Sequence, residues 1–147
     1  MSKSHDFYTT LIIRYIEKFH NSSGLDIADD TQDVGTGCRP EQINAVIDNE
    51  NRSCLPDLIA KDISIEPNLY IVGEAKTASD FLKRHSQAEN QINVMINYLK
   101  NKPKAILIYS LPQDYCNRVT NELQKKINLF NAFNIKLIVI DQYFDFN

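Results

Sequence analysis

Three charged side chains stand out because they fall in short apolar segments that are predicted to be β-strands. Asp57 lies in the segment 53–60. Glu74 and Lys76 end the segment 68–76. Charged groups are rarely buried without a partner or a metal ion, so their presence there needs a reason. Side chains two residues apart on a strand leave the same face, so Glu74 and Lys76 are predicted to lie together, and Asp57 can approach from the partner strand.

Two carboxylates beside an ammonium group suit the hydrolysis of a phosphodiester with the help of a metal ion. Mg²⁺ prefers oxygen ligands and keeps several waters, so Asp57, Glu74 and the backbone carbonyl of Ala75 are predicted to hold it. A bound Mg²⁺ lowers the pKa of a coordinated water and stabilises the charge that builds on the phosphate. Lys76 is predicted to orient the attacking water, to help deprotonate it, or to offset phosphate charge. The ion would also let Asp57 and Glu74 stay ionised side by side.

The pair Pro56-Asp57, sixteen intervening residues and then Glu74-Ala75-Lys76 resemble the PD-(D/E)XK nuclease superfamily. The segment 56–60, PDLIA, is especially similar to Holliday-junction resolvases and VRR-type nuclease domains. The resemblance covers about residues 6–141. It implies an α/β fold with the restriction-endonuclease-like αβββαβ core, a mixed central sheet flanked by helices, and metal-dependent cleavage of DNA.

The same resemblance implies residues that support the site. Several branches of the superfamily place a glutamine on the helix after the ExK strand, and Gln91 fits that position better than Gln87. Apart from the resemblance, Arg84, His85 and Gln87 are predicted to contact nucleic acid because they lie near the start of that helix. The alternatives are a solvent-facing glutamine and a surface Arg–His pair.

The superfamily also often adds an acidic residue from its first helix. Glu17 is the best candidate for a further metal ligand, because it flanks the apolar stripe of the first predicted helix. Glu41 and Glu50 are alternatives. Any of the three could instead be a solvated acid.

The elements that must position these residues follow from hydrophobic spacing and from turn and cap signals. The strands near the C-terminal end are apolar almost throughout, which is typical of a parallel pair joined by a right-handed βαβ crossover. The hairpin of the first two predicted strands is antiparallel. Asp6 is predicted to cap the first helix. In chain order, the predicted elements are a helix over 6–19, a mobile acidic loop over 21–39, a short helix over 40–47, strands over 53–60 and 68–76, a helix from 79 or 80 to about 100, a strand over 104–109, a helix over 112–130 and a strand over 135–140.

Length and composition fit a single domain, 1–147, that can bury a core without disulfides. No apolar run approaches the roughly 18 residues of a membrane-spanning helix, and the first residues do not resemble a signal peptide. The 3 cysteines are odd in number and form no CxxC pair. Reduced thiols in a cytoplasmic protein are therefore predicted.

The net charge of −3 argues against a protein that coats nucleic acid through an overall basic surface. Between Lys76 and Lys104, however, six basic residues face only two acidic ones, so a local basic face near the site is an alternative. Solvated lysines are the simpler interpretation of Lys100 to Lys104.

These features predict a Mg²⁺-dependent deoxyribonuclease, in which Mn²⁺ can substitute. A chain of this size has one catalytic centre, so cleavage of both strands predicts a homodimer. The alternative is a catalytically silent nuclease-fold module that binds nucleic acid or a protein partner.

Overall fold

A five-stranded mixed sheet with helices on both faces forms the centre of the protein. The computed structural model describes residues 4–20, 22–31, 38–77 and 85–147, with the side chains of 85–88 left out. Within that part of the chain the elements, in order, are α1 (His5–Phe19), β1 (Leu25–Asp29), β2 (Ile43–Ile47), β3 (Glu50–Cys54), β4 (Leu58–Asp62), β5 (Leu69–Ala75), α2 (His85–Leu99), β6 (Lys104–Ser110), α3 (Gln113–Gln124), α4 (Ile127–Ala132) and β7 (Ile135–Ile140).

The order of strands across the sheet is β1-β4-β5-β6-β7. β4 runs antiparallel to both β1 and β5, whereas β5, β6 and β7 are parallel to one another. The antiparallel pairing of the predicted hairpin and the parallel pairing of the C-terminal strands are both confirmed. The bounds of the first hairpin strand, predicted over 53–60, were wrong, because that strand is Leu58–Asp62 and residues 53 and 54 belong to β3. The coarser prediction of an α/β fold with a mixed sheet between helices is also confirmed.

Each face of the sheet is covered by its own hydrophobic cluster, because successive side chains of a strand point to opposite faces. Helix α1 covers one face, where its apolar stripe meets Leu58, Ile71 and Ile106. The other face is covered by α2, α3, α4 and a small β2–β3 hairpin, which meet Val72 and Leu107. Among the described residues, no helix is both long and apolar enough to cross a bilayer.

Helix α1 starts one residue earlier than predicted and has a different cap. The side chain of Ser4 accepts a hydrogen bond from the N–H of Phe7 over 3.2 Å, so Ser4 is the N-cap and the assignment of Asp6 was wrong. Asp6 lies in the first turn, where a negative charge is favoured by the helix dipole.

Two of the predicted elements before β4 were wrong. The segment 40–47 is not helical: Ile43–Ile47 pairs with Glu50–Cys54 through a turn in which Asp48 and Asn49 both have positive φ, 54° and 65°. Two central residues with positive φ are what a tight hairpin turn requires. The segment 21–39 is not all loop either, since Leu25–Asp29 is an edge strand of the sheet. Residues 32–37 lie outside the described part of the chain.

The C-terminal half follows the prediction more closely. β7 has the predicted bounds, and β6 extends one residue further, to Ser110. The single helix predicted over 112–130 is interrupted at Lys125 and Lys126 and forms α3 and α4. Helix α2 ends at Leu99, as expected from the proline that follows, while its predicted start at 79 or 80 lies outside the described residues.

Candidate active site

The candidate site lies at the end of the sheet where three neighbouring strands meet. Asp30 follows the last residue of β1, Asp57 precedes the first residue of β4, and Glu74 is the second-last residue of β5. Because β4 runs antiparallel to β1 and β5, its beginning lies beside the ends of both. The N–H of Asp30 also donates to the carbonyl oxygen of Asp57 over 3.0 Å. Sheet pairing therefore brings three carboxylates from distant parts of the sequence together.

Asp57 and Glu74 are each held by a backbone group beside the other. The N–H of Asp57 donates to Oε1 of Glu74 over 3.2 Å, and the N–H of Ala75 donates to Oδ2 of Asp57 over 2.8 Å. This reciprocal pair, which we call the carboxylate clasp, fixes both side chains at the strand ends.

Lys76 contacts the clasp from the same face of β5 as Glu74. Its Nζ lies 3.0 Å from Oε2 of Glu74 and donates to Oε1 of Gln91 over 2.7 Å. The side chains of Lys76 and Glu74 are only 14% and 3% exposed. A buried ion pair needs further hydrogen bonds to offset its desolvation, and Gln91 of α2 supplies one of them. The ammonium group is thus held between the Glu74 carboxylate and the Gln91 amide oxygen.

A histidine from the first turn of α1 contacts the remaining oxygen of Asp57. Nε2 of His5 lies 3.2 Å from Oδ1 of Asp57. One ligand atom each from His5, Asp30 and Asp57 lies within 4.8 Å of the others. Oδ1 of Asp30 is buried and has no hydrogen-bond partner among the described residues. The donor chemistry of this group, one imidazole nitrogen and carboxylate oxygens, fits a divalent cation.

The electrostatics of the site also favour a cation. Burial, followed by the charge of Glu74, raises the pKa of Asp57 to about 8, and a hydrogen-bonding contact with the Asp30 side chain contributes in the same direction. His5 acts against this rise. Neighbouring carboxylates resist joint ionisation unless a positive charge lies close to them. A bound divalent cation would supply that charge.

A second row of buried polar groups lies behind the clasp. Tyr109 pairs with Glu74 across the parallel strands, and burial together with the Glu74 charge raises its pKa well above the ordinary value. Burial raises the pKa of Cys54 to about 12. Ser110 accepts a hydrogen bond from the N–H of Lys76 through its carbonyl, while its Oγ is buried without a partner in the described part of the chain. The Tyr109 hydroxyl and the Cys54 thiol are therefore neutral at physiological pH.

The site therefore combines carboxylates that can hold a cation with a fixed ammonium and an amide. No protein-family model, curated protein or solved structure matches the chain. The chemistry of the site is accordingly assigned from its own geometry.

The structure brings four of the residues predicted from the sequence together: Asp57, Glu74, Lys76 and Gln91. Ala75 contributes its N–H to the clasp. The role of its carbonyl as a metal ligand stays a prediction.

The three acids that were candidates for a further metal ligand do not lie at this site. Glu17 is exposed and sits 12 residues beyond His5 on α1, about 18 Å along the helix. Glu41 is exposed before β2, and Glu50 is exposed on β3, where it pairs with Arg52. The structure does not bring these acids to Asp57.

Of the predicted nucleic-acid contacts, Arg84 lies outside the described residues, as do the side chains of His85 and Gln87. The lysines at the start of β6 do not extend a basic face to the site. Lys104 begins β6 and Ser110 ends it, so the two are about 20 Å apart. Lys102 lies over the rings of Tyr70 and Tyr98, away from the clasp.

His5 and Asp30 are the site residues that the sequence interpretation missed. Asp30 follows the segment Leu25–Asp29, in which Leu25 and Ile27 pack against the α1-side cluster and Asp26 is exposed. That period of two is the signal of an edge strand, and it would have placed Asp30 at a strand end. His5 carries no comparable signal, because only the packing of α1 brings its first turn to β4.

Proposed function

We propose that this chain is a metal-dependent nuclease of the PD-(D/E)XK type that hydrolyses phosphodiester bonds of DNA. The observation that carries the proposal is the meeting of Asp57, Glu74 and Lys76 at one end of the sheet. There the ammonium lies 3.0 Å from one carboxylate. Charges buried at a strand end in this way are costly for folding, so their grouping points to a functional site.

The order of elements supports the same proposal. If the β2–β3 hairpin is treated as an insertion, then α1, β1, β4, β5, α2 and β6 follow the αβββαβ order of the restriction-endonuclease-like core. The three antiparallel strands and the parallel fourth strand also occur in that order across the sheet. The acidic pair and the lysine then lie at the adjoining ends of the second and third core strands, where the resemblance expects them.

In this proposal Asp57 and Glu74, with the Ala75 carbonyl, hold Mg²⁺ or Mn²⁺. A cation bound there lowers the pKa of a coordinated water and offsets the negative charge on the phosphate. Lys76 is positioned by Glu74 and Gln91 to donate a hydrogen bond to the attacking water or to a phosphate oxygen.

The reaction is a hydrolysis that needs no further co-reactant. The water oxygen forms a bond to phosphorus while the bond from phosphorus to one sugar oxygen breaks. One proton of the water is lost to solvent, and the leaving oxygen takes up a proton. Cutting both strands of a duplex at one place would require two copies of the chain.

The proposal is tested by incubating the pure protein with supercoiled, linear, branched and single-stranded DNA and with RNA, each with Mg²⁺ or Mn²⁺. We expect cleavage of at least one DNA substrate that chelation of the metal abolishes. Asp57→Ala, Glu74→Ala and Lys76→Ala should each lose it. Asp48→Asn, an exposed turn residue with positive φ that asparagine tolerates, is the matched control and should cut like the wild type.

Two outcomes contradict the proposal. One is that no substrate is cut with either metal, in which case binding of uncut DNA or of a protein partner would indicate a silent module. The other is that the three alanine variants cut as fast as the wild type, which would assign the cleavage to a contaminant.

A further inference from the structure

The first turn of α1 brings a nitrogen ligand to the carboxylates at the end of the sheet. Nε2 of His5 lies 3.2 Å from Oδ1 of Asp57. The clasp uses Oδ2 of Asp57, so Oδ1 faces the other side, toward the helix. Neither His5 nor Asp30 belongs to the PD…ExK pattern, and both come from elements before it.

Asp30 completes this group from the opposite strand. Its N–H donates to the carbonyl of Asp57, which fixes its backbone against β4. Its Oδ1 is buried without a hydrogen-bond partner among the described residues. A polar oxygen buried without a partner is costly, and a metal ion is a partner that removes this cost. The ligand atoms of His5, Asp30 and Asp57 already lie within 4.8 Å of one another.

We infer that His5 and Asp30 join Asp57 as ligands of one divalent ion, and that this ion is Mn²⁺ or a similar transition metal in preference to Mg²⁺. The inference rests on the proposed function only in that Asp57 serves both, since the ligand atoms brought together here are those of His5, Asp30 and Asp57 and not of Glu74. Mg²⁺ is bound through oxygen and keeps an octahedral shell of waters, so it gains little from an imidazole. Imidazole nitrogen suits the first-row transition metals, and affinity for a mixed nitrogen and oxygen site rises from Mn²⁺ through the series.

The test measures metal binding without nucleic acid. Mn²⁺ and Mg²⁺ are titrated separately into the metal-free protein by calorimetry, and free Mn²⁺ is counted by its electron paramagnetic resonance signal. We expect Mn²⁺ to bind at least about tenfold more tightly than Mg²⁺. His5→Asn and Asp30→Asn should each weaken Mn²⁺ binding by about tenfold or more. His5→Asn should weaken Mg²⁺ binding less, so the preference for Mn²⁺ shrinks.

Matched variants control for the loss of a histidine or an acid as such. His20→Asn removes the histidine at the other end of α1, at a C-terminal cap that asparagine tolerates. Asp26→Asn removes an exposed acid of β1. Both should bind Mn²⁺ as the wild type does, and circular dichroism should show that all four variants are folded.

The inference is overturned if His5→Asn and Asp30→Asn are folded and bind Mn²⁺ like the wild type, or if Mg²⁺ binds as tightly as Mn²⁺. Its failure is separable from failure of the proposed function. Cleavage with unchanged metal binding in His5→Asn would refute the ligand assignment alone. Selective Mn²⁺ binding without cleavage of any substrate would support the ligand assignment and refute the nuclease.

Discussion

Lys76 and Glu74 form a buried pair in which each side chain depends on the other. Both are largely hidden from solvent, and Lys76 has a second bond to Gln91. Removing one member of a buried ion pair leaves an unpaired charge, whereas removing both members often has little effect. The pair is therefore expected to show strong energetic coupling.

We predict that Lys76→Met lowers the free energy of unfolding by about 3 kcal/mol, because the Glu74 carboxylate is left buried without its partner. Adding Glu74→Gln should recover a large part of this loss. Urea unfolding of the wild type, both single variants and the double variant gives the coupling energy. Lys125→Met, on a largely exposed lysine, is the control. Additive effects of the two changes would contradict a buried pair.

The raised pKa of Asp57 predicts how stability depends on pH in the metal-free protein. Its folded pKa of about 8 lies above the ordinary value of 3.8, so the native state binds this proton more tightly than the unfolded chain does. The stabilisation is complete below about pH 4 and is lost as the pH rises through 8. Asp57→Asn removes the ionisation and should be the more stable protein at pH 9, by an amount on the order of a few kcal/mol.

The measurement is chemical unfolding of both proteins between pH 5 and pH 9 with a chelator present. Asp48→Asn, which changes an exposed acid, should follow the wild-type curve at every pH. A constant difference between wild type and Asp57→Asn across this range would show that Asp57 does not titrate there.

The residues of the site were only partly accessible to sequence reasoning, for a physical reason. Asp57, Glu74 and Lys76 lie at the ends of two strands joined by a short connection, so alternation and hairpin pairing bring them together. His5 and Asp30 reach the same point by packing and pairing between segments that are distant in sequence. A sequence pattern therefore does not predict that these two residues lie beside Asp57.

At the scale of elements, the contact between α1 and β5 decides where His5 lies. A Cβ added at Gly73 would lie 3.0 Å from Cγ2 of Ile12 and 3.3 Å from Cβ of Leu58. Both neighbours are fully buried, so neither side chain has free space to move into. Glycine at this position lets the helix pack directly on the strand.

We predict that Gly73→Ala destabilises the protein by about 1–3 kcal/mol, because the added methyl group overpacks this contact. The sign of this change in stability is informative, because replacing a strand glycine by alanine is otherwise expected to stabilise a protein. Ile12→Ala should cost less stability in the Gly73→Ala background than it costs alone, because it relieves the overpacking. Urea unfolding of the four proteins measures this, and an unchanged or raised stability in Gly73→Ala would contradict close packing of α1 on β5.

The position of the β2–β3 hairpin also predicts how reactive the thiol of Cys54 is. Cys54 ends β3, packs in the cluster beneath α2 and is 7% exposed, and burial raises its pKa to about 12. Cys38 is exposed. We predict that a thiol reagent at pH 8 modifies Cys38 at least about tenfold faster than Cys54, since the thiolate is the reactive form. Single-cysteine variants give the two rates separately, and equal rates in the folded protein would contradict the position of the hairpin.

The β2–β3 hairpin shows which strands could be predicted from the sequence and which could not. Strands with continuous apolar character, β6 and β7, were predicted within one residue, because burial on both faces leaves an unmistakable run. The segment Ile43–Ile47 alternates instead, and its turn signal, Asp48-Asn49, is weaker than the glycine-containing pairs that mark most such turns. β1 was not predicted for a similar reason: it is a short edge strand, and the three acids at or just after it are more typical of a loop.

At the scale of the whole molecule, acidic side chains gather at one end of the sheet. The end of the sheet that carries the clasp gathers Asp30, Asp57 and Glu74, while Lys102 is engaged with two tyrosines near the start of β6. Together with the net charge of −3, this arrangement makes the site end of the sheet attract cations and repel a polyanion such as DNA. In the proposed nuclease, a bound metal ion would therefore be needed both for the hydrolysis and to offset the charge of the phosphate.

The most direct test of this account is the initial rate of DNA cleavage by Glu74→Gln compared with the wild type. The change keeps the shape of the side chain but removes the charge that holds Lys76 and belongs to the clasp. We predict a loss of at least about 100-fold in the rate with Mn²⁺, while Glu122→Gln, on the surface of α3, cuts like the wild type. Equal rates for a folded Glu74→Gln and the wild type would contradict the assignment of this site as a nuclease centre.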